Sequence, residues 1–210
     1  ATAGGCYCTI GLGGFASATY AQVSIRVETD GSITVRNGIN SSATILGQTS
    51  PAAFRFSVWN YVEVKIVLHD STGAVTVKVN GVALLTLTNK DTIGTPASAT
   101  WSAVEWSNGA TAWVDDLYVC DGSGATNNDF LGECRVVTLL PQTDAVAAGS
   151  NADFACSTGA DHGALVDEAA PDDDTTYLSS STLNHVDSWE YPALGYTGTI
   201  KGVQMSLSAK

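Results

Sequence analysis

The stretch that most constrains this chain is residues 61–88, which read YVEVKIVLHDSTGAVTVKVNGVALLTLT. Apolar and polar side chains alternate along its first two segments, and this period of two is typical of strands with one buried face. Turn residues interrupt the stretch at 70–73, and Asn80-Gly81 favours a two-residue hairpin because both residues tolerate positive φ. The stretch therefore predicts three antiparallel strands. The middle strand is predicted to carry Val75, Val77 and Val79 on one face and Thr76 and Lys78 on the other.

Shorter strands are predicted on both sides of this meander. Apolar residues alternate over 23–27, and Asp30-Gly31 then favours a turn. About eight strands are predicted between residues 20 and 120, the last at 112–119, and no segment of ten residues shows a helical period. Short strands separated by frequent turn signals are typical of β-sandwiches, so the sequence predicts an all-β, antiparallel sandwich over residues 1–120.

A change of composition divides the chain after this block. Residues 121–134 are polar and read DGSGATNNDFLGEC, which predicts a linker. A second β-rich region is predicted over residues 135–210. Its predicted strands are 135–140, 184–191 and 199–208. About 40 residues with little regular structure separate the first two, which is unusual for a compact domain, so this region is predicted to be incomplete by itself.

The incomplete second region predicts a contact with another subunit. Three short strands bury little apolar area, and ordering a long polar loop costs roughly 1–2 kcal/mol per residue. We therefore expect a homo-oligomer. The apolar residues expected to form the subunit contact are Trp189, Val203, Met205 and Leu207. Since the chain begins at Ala1 and its last predicted strand has no partner after it, we also expect a fragment that lacks N-terminal strands and is truncated at its C-terminus.

The charge balance excludes some partners. Lys and Arg number 9 against 21 Asp and Glu, which gives a net charge of −12. Such a surface repels nucleic acid and anionic membranes. No apolar run approaches the ~20 residues that span a bilayer. The sequence therefore predicts neither nucleic-acid binding nor membrane insertion.

Cysteine and histidine give no motif with a known spacing. Cys120 and Cys134 flank a single loop, and the sequence leaves open whether they are bridged or are buried thiols. His69, His162 and His185 are far apart and lack the paired spacing of a zinc site, so they are predicted to be solvated surface residues. No G-x-S-x-G nucleophile motif occurs. No cofactor is predicted from these residues.

One carboxylate pattern partly matches the E-x-D-x-x-E strand of β-sandwich glucanases. Glu28 and Asp30 match its first two acids, but Ile33 stands where the third is required. Asp30 also precedes a glycine in a predicted turn. The sequence therefore predicts no catalytic residues and no enzyme activity.

Two oxygen-rich loops are candidate calcium sites. Calcium binds six to eight oxygens from carboxylates, amides and carbonyls. The first loop offers Asp121, Asn127 and Asp129, and the second offers the acids of 167–174. Neither has the order of an EF-hand loop, so calcium and a solvated acidic loop remain alternatives here.

Exposed tryptophans would suit sugar rings, whereas tryptophan in a strand more often packs in the core. Trp59 and Trp113 are predicted to be core residues. Trp106 is the candidate for carbohydrate binding.

Several short motifs, taken in order, resemble those of a known family. The motifs WNYVEVK at 59–65, TGAV at 72–75, VNG at 79–81 and WVDDLYV at 113–119 are similar to the back half of a concanavalin A-like lectin/glucanase domain, also called laminin-G-like. The continuations NNDFLGECRV at 127–136 and PDDDTTYLSSST at 171–182 are more specific. They look like tailed-bacteriophage virion proteins in which such a jelly roll precedes a second β-rich region.

This resemblance covers about residues 20–210 and carries expectations for function. It implies a concanavalin-like jelly roll without a catalytic set. It also implies location in the virion, as a capsid decoration, tail or fibre component that contacts other virion proteins and a host-surface glycan. The alternative is a carbohydrate-binding module of a secreted or cell-surface bacterial protein. Oligomeric state separates the two, because virion proteins occur in symmetric multiples.

Overall fold

The structure is a computed structural model that describes residues 6–11, 21–38, 43–94, 99–108, 113–147, 149–170, 172 and 174–208; the side chains of residues 6–11 and 106–108 are not described. Regular structure in these residues consists of antiparallel β-strands and one short 3₁₀ turn, so the all-β prediction is confirmed. No helix in the described part is long and apolar enough to cross a bilayer. The chain divides into two compact units, Ala1–Arg135 and Val136–Lys210.

Two antiparallel sheets form the first unit. Its strands are β1 (Cys6–Gly11), β2 (Ala21–Val27), β3 (Ile33–Asn37), β4 (Thr44–Gln48), β5 (Val62–Val67), β6 (Gly73–Val79), β7 (Val82–Lys90) and β8 (Ala103–Asn108). One sheet has the order β4-β3-β2-β1-β8, and the other is the predicted meander β5-β6-β7. The chain thus completes four strands of one sheet, forms the second sheet, and returns to pair β8 with β1.

An aliphatic core joins the two sheets. Val23 and Val35 from the five-stranded sheet form one buried cluster with Val75, Val77 and Val79 from the three-stranded sheet. Residues of β6 alternate between buried and half-buried along the whole strand, which confirms the two predicted faces. Apolar burial at about 25 cal/mol per Å² is the main favourable term for such a core. The first unit is therefore sandwich-like.

The turns predicted at Asn80-Gly81 and Asp30-Gly31 are confirmed by residues with positive φ. Asn80 and Gly81 have φ of 50° and 80°, as a two-residue hairpin between β6 and β7 needs. Gly31 has φ of 77°, and a Cβ there would lie 2.5 Å from the carbonyl oxygen of Phe54. These positions are fixed by local chemistry, which is why the sequence alone could locate them.

Several predicted strands are not strands. Three segments that were predicted as strands pair with no strand among the described residues, namely 113–119, 135–140 and 199–208. Within 184–191, only Trp189–Glu190 is a strand. Alternation shows that a segment would suit a sheet, but a strand forms only where a neighbouring edge supplies the backbone hydrogen bonds.

The predicted linker, residues 121–134, is part of the first unit and contacts its three-stranded sheet. Glu63 on β5 is only 4% exposed, and its Oε1 accepts hydrogen bonds from the Tyr118 hydroxyl at 2.6 Å and the Gly132 N–H at 3.0 Å. Lys78 Nζ lies 3.8 Å from the centre of the Phe130 ring. Residues 118–132 are thus attached to the polar side of the three-stranded sheet. Burial, followed by the hydrogen bond to Glu63, raises the pKa of Tyr118.

Short ladders and polar bonds form the second unit. β9 (Thr143–Asp144) pairs with β12 (Trp189–Glu190), β10 (Ala155–Cys156) pairs with β11 (Leu178–Ser179), and the 3₁₀ turn spans Gly163–Leu165. Each strand has two residues. Among the described hydrophobic residues of this unit, Leu165 alone is fully buried. The backbone of this unit is instead held by hydrogen bonds from N–H groups to the carboxylates of Asp144, Asp153 and Asp187.

Candidate functional site

An open groove at one end of the three-stranded sheet is the strongest candidate site. It has a volume of about 640 Å³ and combines an indole, aliphatic side chains and amides. The lining residues are Ala52, Ala53, Arg55, Val58, Trp59, Asn60, Val79, Asn80, Val82 and Leu84. We call this set the Trp59 groove. Trp59 is 72% exposed in it, and Val58 and Val82 are also largely exposed.

Two asparagines hold the walls of the Trp59 groove. The Asn60 amide nitrogen donates to the carbonyl oxygens of Arg55 at 2.7 Å and Val58 at 3.1 Å, which closes the turn that carries Trp59. Asn80 in the β6–β7 turn accepts the Tyr61 N–H at 2.9 Å and donates its own N–H to the Tyr61 carbonyl. The hairpin turn and the loop before β5 are thereby locked side by side. The aromatic side chain consequently stands on a fixed backbone, which lowers the entropy cost of binding.

The prediction that Trp59 and Trp113 are core residues is wrong. Trp59 lies in a turn before β5, and Trp113, which is 81% exposed, lies in an unpaired segment. The core prediction assumed that both residues were in strands. The available signal was Pro51 shortly before Trp59, since proline is typical of turns and loops.

Trp106, the predicted carbohydrate-binding residue, lies on β8, where its backbone pairs with Cys8. Its side chain is outside the described part of the structure. That assignment therefore stays a prediction.

The two glucanase-like acids serve the local structure. Glu28 forms ion pairs with Arg26 at 3.2 Å and Arg36 at 3.7 Å. Asp30 Oδ1 accepts the Ser32 N–H at 2.9 Å and the Ser32 hydroxyl at 2.6 Å, and these bonds lower the pKa of Asp30. The turn predicted at Asp30 is thus present, and both carboxylates have structural partners.

The predicted calcium ligands have protein partners of their own. Asp121 Oδ1 accepts the N–H and hydroxyl of Ser123, and Asp129 Oδ1 lies 3.1 Å from Lys65 Nζ. Asn127 lies in the same loop with φ of 55°. In the described residues, no three His, Cys, Asp or Glu side chains lie close enough to hold a metal ion. The calcium site stays a prediction that these contacts do not favour.

A buried histidine–aspartate pair in the second unit was missed from the sequence. His162 Nδ1 lies 2.6 Å from Asp187 Oδ2, and the Asp187 side chain is 3% exposed. Asp187 Oδ1 also accepts the Phe154 N–H at 3.0 Å. Asp144 accepts the backbone N–H groups of His162 at 2.8 Å and Gly163 at 3.2 Å.

This pair corrects the prediction that all three histidines are solvated. The hydrogen bond to Asp187 raises the pKa of His162, with smaller contributions from the charges of Asp144 and Asp161. No spacing rule could reveal it, because His162 and Asp187 are 25 residues apart. By contrast, His185 bonds Ser180 Oγ at 2.8 Å in a more open setting.

The remaining predicted positions are not joined into a site. Val203, Met205 and Leu207 are between 73% and 88% exposed, and Trp189 is half-buried on β12. The subunit contact proposed for them stays a prediction. Cys120 and Cys134 are free thiols, which answers the question that the sequence left open.

Comparison with known proteins adds no identity. No protein-family model, curated protein or solved structure matches the chain.

Proposed function

We propose that this chain is a non-enzymatic structural protein of a tailed-bacteriophage virion, and that its first unit is a concanavalin-like jelly roll that binds a host-surface glycan in the Trp59 groove. The observation that carries the binding function is the exposed indole of Trp59 on a braced backbone, beside Arg55, Asn60 and Asn80. Virion membership is supported by the motif resemblance at 127–136 and 171–182.

The geometry of the groove suits a sugar. One face of a pyranose ring is apolar and packs on an aromatic plane, while its hydroxyls need donors and acceptors at the edge of that plane. Covering roughly 80 Å² of the indole at about 25 cal/mol per Å² contributes about 2 kcal/mol, or more than tenfold in affinity. Trp59 supplies the plane, and the groove's amide side chains supply the polar edge.

The strand order supports the jelly-roll assignment. Four strands of one sheet are completed before the chain forms the other sheet, and β8 then returns to the first sheet beside β1. The non-enzymatic assignment is supported by Glu28 and Asp30, since both carboxylates are held by neighbouring side chains. We expect no release of reducing sugar from β-glucans, whereas release that disappears in a Glu28→Gln variant would contradict this part of the proposal.

The binding function is tested by titrating the full chain with a panel of neutral and acidic bacterial surface oligosaccharides, followed by calorimetry. We expect at least one ligand to bind, and Trp59→Ala to weaken its binding by about tenfold or more. Trp113→Ala is the matched control, because it removes an equally exposed indole outside the groove and should leave binding unchanged. Equal affinity of the Trp59→Ala variant and the parent would refute the groove as the binding site.

The same groove would serve a carbohydrate-binding module of a secreted or cell-surface bacterial protein. Mass measurement of the purified chain in solution separates the two proposals. A symmetric oligomer is expected of the virion protein, and a monomer at all concentrations favours the module.

A further inference from the structure

The Trp59 groove carries a single charge in an acidic protein. Among the described residues that line it, Arg55 is the one charged residue, and the others are apolar or amides. Asn60 contacts Arg55 through the backbone alone: it accepts the Arg55 N–H at 3.4 Å and donates to the Arg55 carbonyl at 2.7 Å. No described residue forms an ion pair or hydrogen bond with the Arg55 guanidinium. Arg55, whose guanidinium has no such partner among the described residues, therefore lines the same groove as the exposed indole.

We propose that the groove selects a sugar that carries one carboxylate, whose ring packs on Trp59 and whose carboxylate is bound by Arg55. This inference rests on the proposed glycan-binding function. A guanidinium presents its N–H donors in a planar fork that matches the two oxygens of a carboxylate. The Asn80 amide nitrogen has no hydrogen-bond partner among the described residues, so it is available to donate to a sugar hydroxyl.

The charge distribution limits the ligand to one carboxylate rather than a polyanion. The chain has a net charge of −12, and residues 1–135 contain 7 Lys and Arg against 11 Asp and Glu. A polyanion bound to this single cation would find no second cation among the described groove residues, and the net negative charge of the unit would repel its other charges. The ligand that fits is a neutral oligosaccharide with an isolated acidic sugar.

The test compares two oligosaccharides that differ at one position, a hexuronic acid in one and the corresponding neutral hexose in the other. We titrate each into the full chain by calorimetry in 0.15 M salt. The acidic ligand should bind at least about tenfold more tightly, since charge-assisted hydrogen bonds are the stronger class. Arg55→Gln should lower its affinity to that of the neutral ligand and leave the neutral ligand's affinity unchanged.

Two control variants define what each residue contributes. Arg55→Lys keeps the charge but loses the fork, so it should retain part of the preference for the acidic ligand. Lys90→Gln removes a cation of β7 that does not line the groove, and should leave the preference intact. Trp59→Ala should weaken both ligands alike.

The outcomes separate this inference from the proposed function. Equal affinity for the two ligands, or an equal loss for both in Arg55→Gln, would overturn the acidic specificity while glycan binding at Trp59 stands. Binding of both ligands that Trp59→Ala does not weaken would overturn both proposals. Both also fail if neither ligand binds and the chain instead forms a dimer that Trp59→Ala dissociates, because a second copy would then be the occupant.

Discussion

In the first unit, seven aliphatic side chains from both sheets form one buried cluster, whereas in the described residues of the second unit Leu165 is the only fully buried hydrophobic side chain. The second unit is fastened instead by carboxylates that accept backbone N–H groups. Asp144, Asp153 and Asp187 each hold at least one such group across 18 to 33 residues of sequence. The two units therefore differ in what stabilises their fold. The first relies on the burial of apolar side chains, and the second relies on hydrogen bonds from backbone N–H groups to carboxylates.

Charge follows the same division. Residues 1–135 carry 7 Lys and Arg against 11 Asp and Glu, a net −4, whereas residues 136–210 carry 2 against 10, a net −8. Like charges within one unit repel one another and oppose its compact state. The second unit therefore folds against more self-repulsion than the first.

The largest expected effect is on the apolar core. Val77→Asp places an unpaired charge among fully buried side chains, and we expect a loss of several kcal/mol, about 4 or more, in the free energy of unfolding of the first unit. Denaturant unfolding measures it. Thr86→Asp is the control, because Thr86 is exposed on the neighbouring strand β7, and a similar loss there would contradict the assignment of the core face.

A smaller but local effect is expected at the centre of the second unit. Asp187→Asn keeps the shape of the side chain but removes the charge that binds His162, and should cost about 2–3 kcal/mol. Amide exchange should rise in residues 151–157 and 186–190 and stay unchanged in β5–β7. If both units lost protection equally, the division into two separately fastened units would be wrong.

The first unit also has polar contacts between distant residues, and the one between Tyr118 and Glu63 sharpens the comparison. Tyr118→Phe removes the hydroxyl that donates to the buried Glu63, and we expect a cost of about 1–2 kcal/mol. Exchange should increase within 118–132, while the strands of the meander keep their protection. Tyr191→Phe removes a more exposed hydroxyl and serves as the control; an equal effect there would argue against a special role for the Glu63 contact.

The smallest effect is the pH dependence of the second unit. The pKa of His162 is raised by its bond to Asp187, so the added stability is fully present below the ordinary histidine pKa of about 6.5 and is lost as pH rises through the higher folded value. We expect the free energy of unfolding to fall as pH rises above about 6.5, by at most about 1.4 kcal/mol for each tenfold difference in proton affinity between the folded and unfolded states.

This pH dependence of the free energy of unfolding is measured by denaturant unfolding at several pH values. His162→Gln should remove this pH dependence. His185→Gln, which alters the other histidine of the same unit, should leave the pH dependence unchanged. Direct titration of His162 by NMR gives an independent check, because a pKa at or below 6.5 would contradict the expected sign.

Features set by neighbouring residues were predictable from the sequence. The period of two in 61–79 gave the strands and faces of the meander, because a pleated strand exposes alternate side chains to the same surface whatever lies elsewhere. Asn80-Gly81 and Asp30-Gly31 located two turns through their tolerance of positive φ. The frequent turn signals and the lack of a helical period predicted the all-β class.

Only the tertiary structure decided which of the strand-like segments find a partner and which side chains meet. Residues 113–119 and 199–208 were predicted as strands, but their backbone pairs with no strand among the described residues. Trp59 is exposed because Asn60 closes a turn beneath it, and His162 is buried because Asp187 returns to it from 25 residues away. Local pattern carries conformational preference, whereas burial and pairing depend on contacts between distant parts of the chain, and those contacts set both the groove and the charge pair.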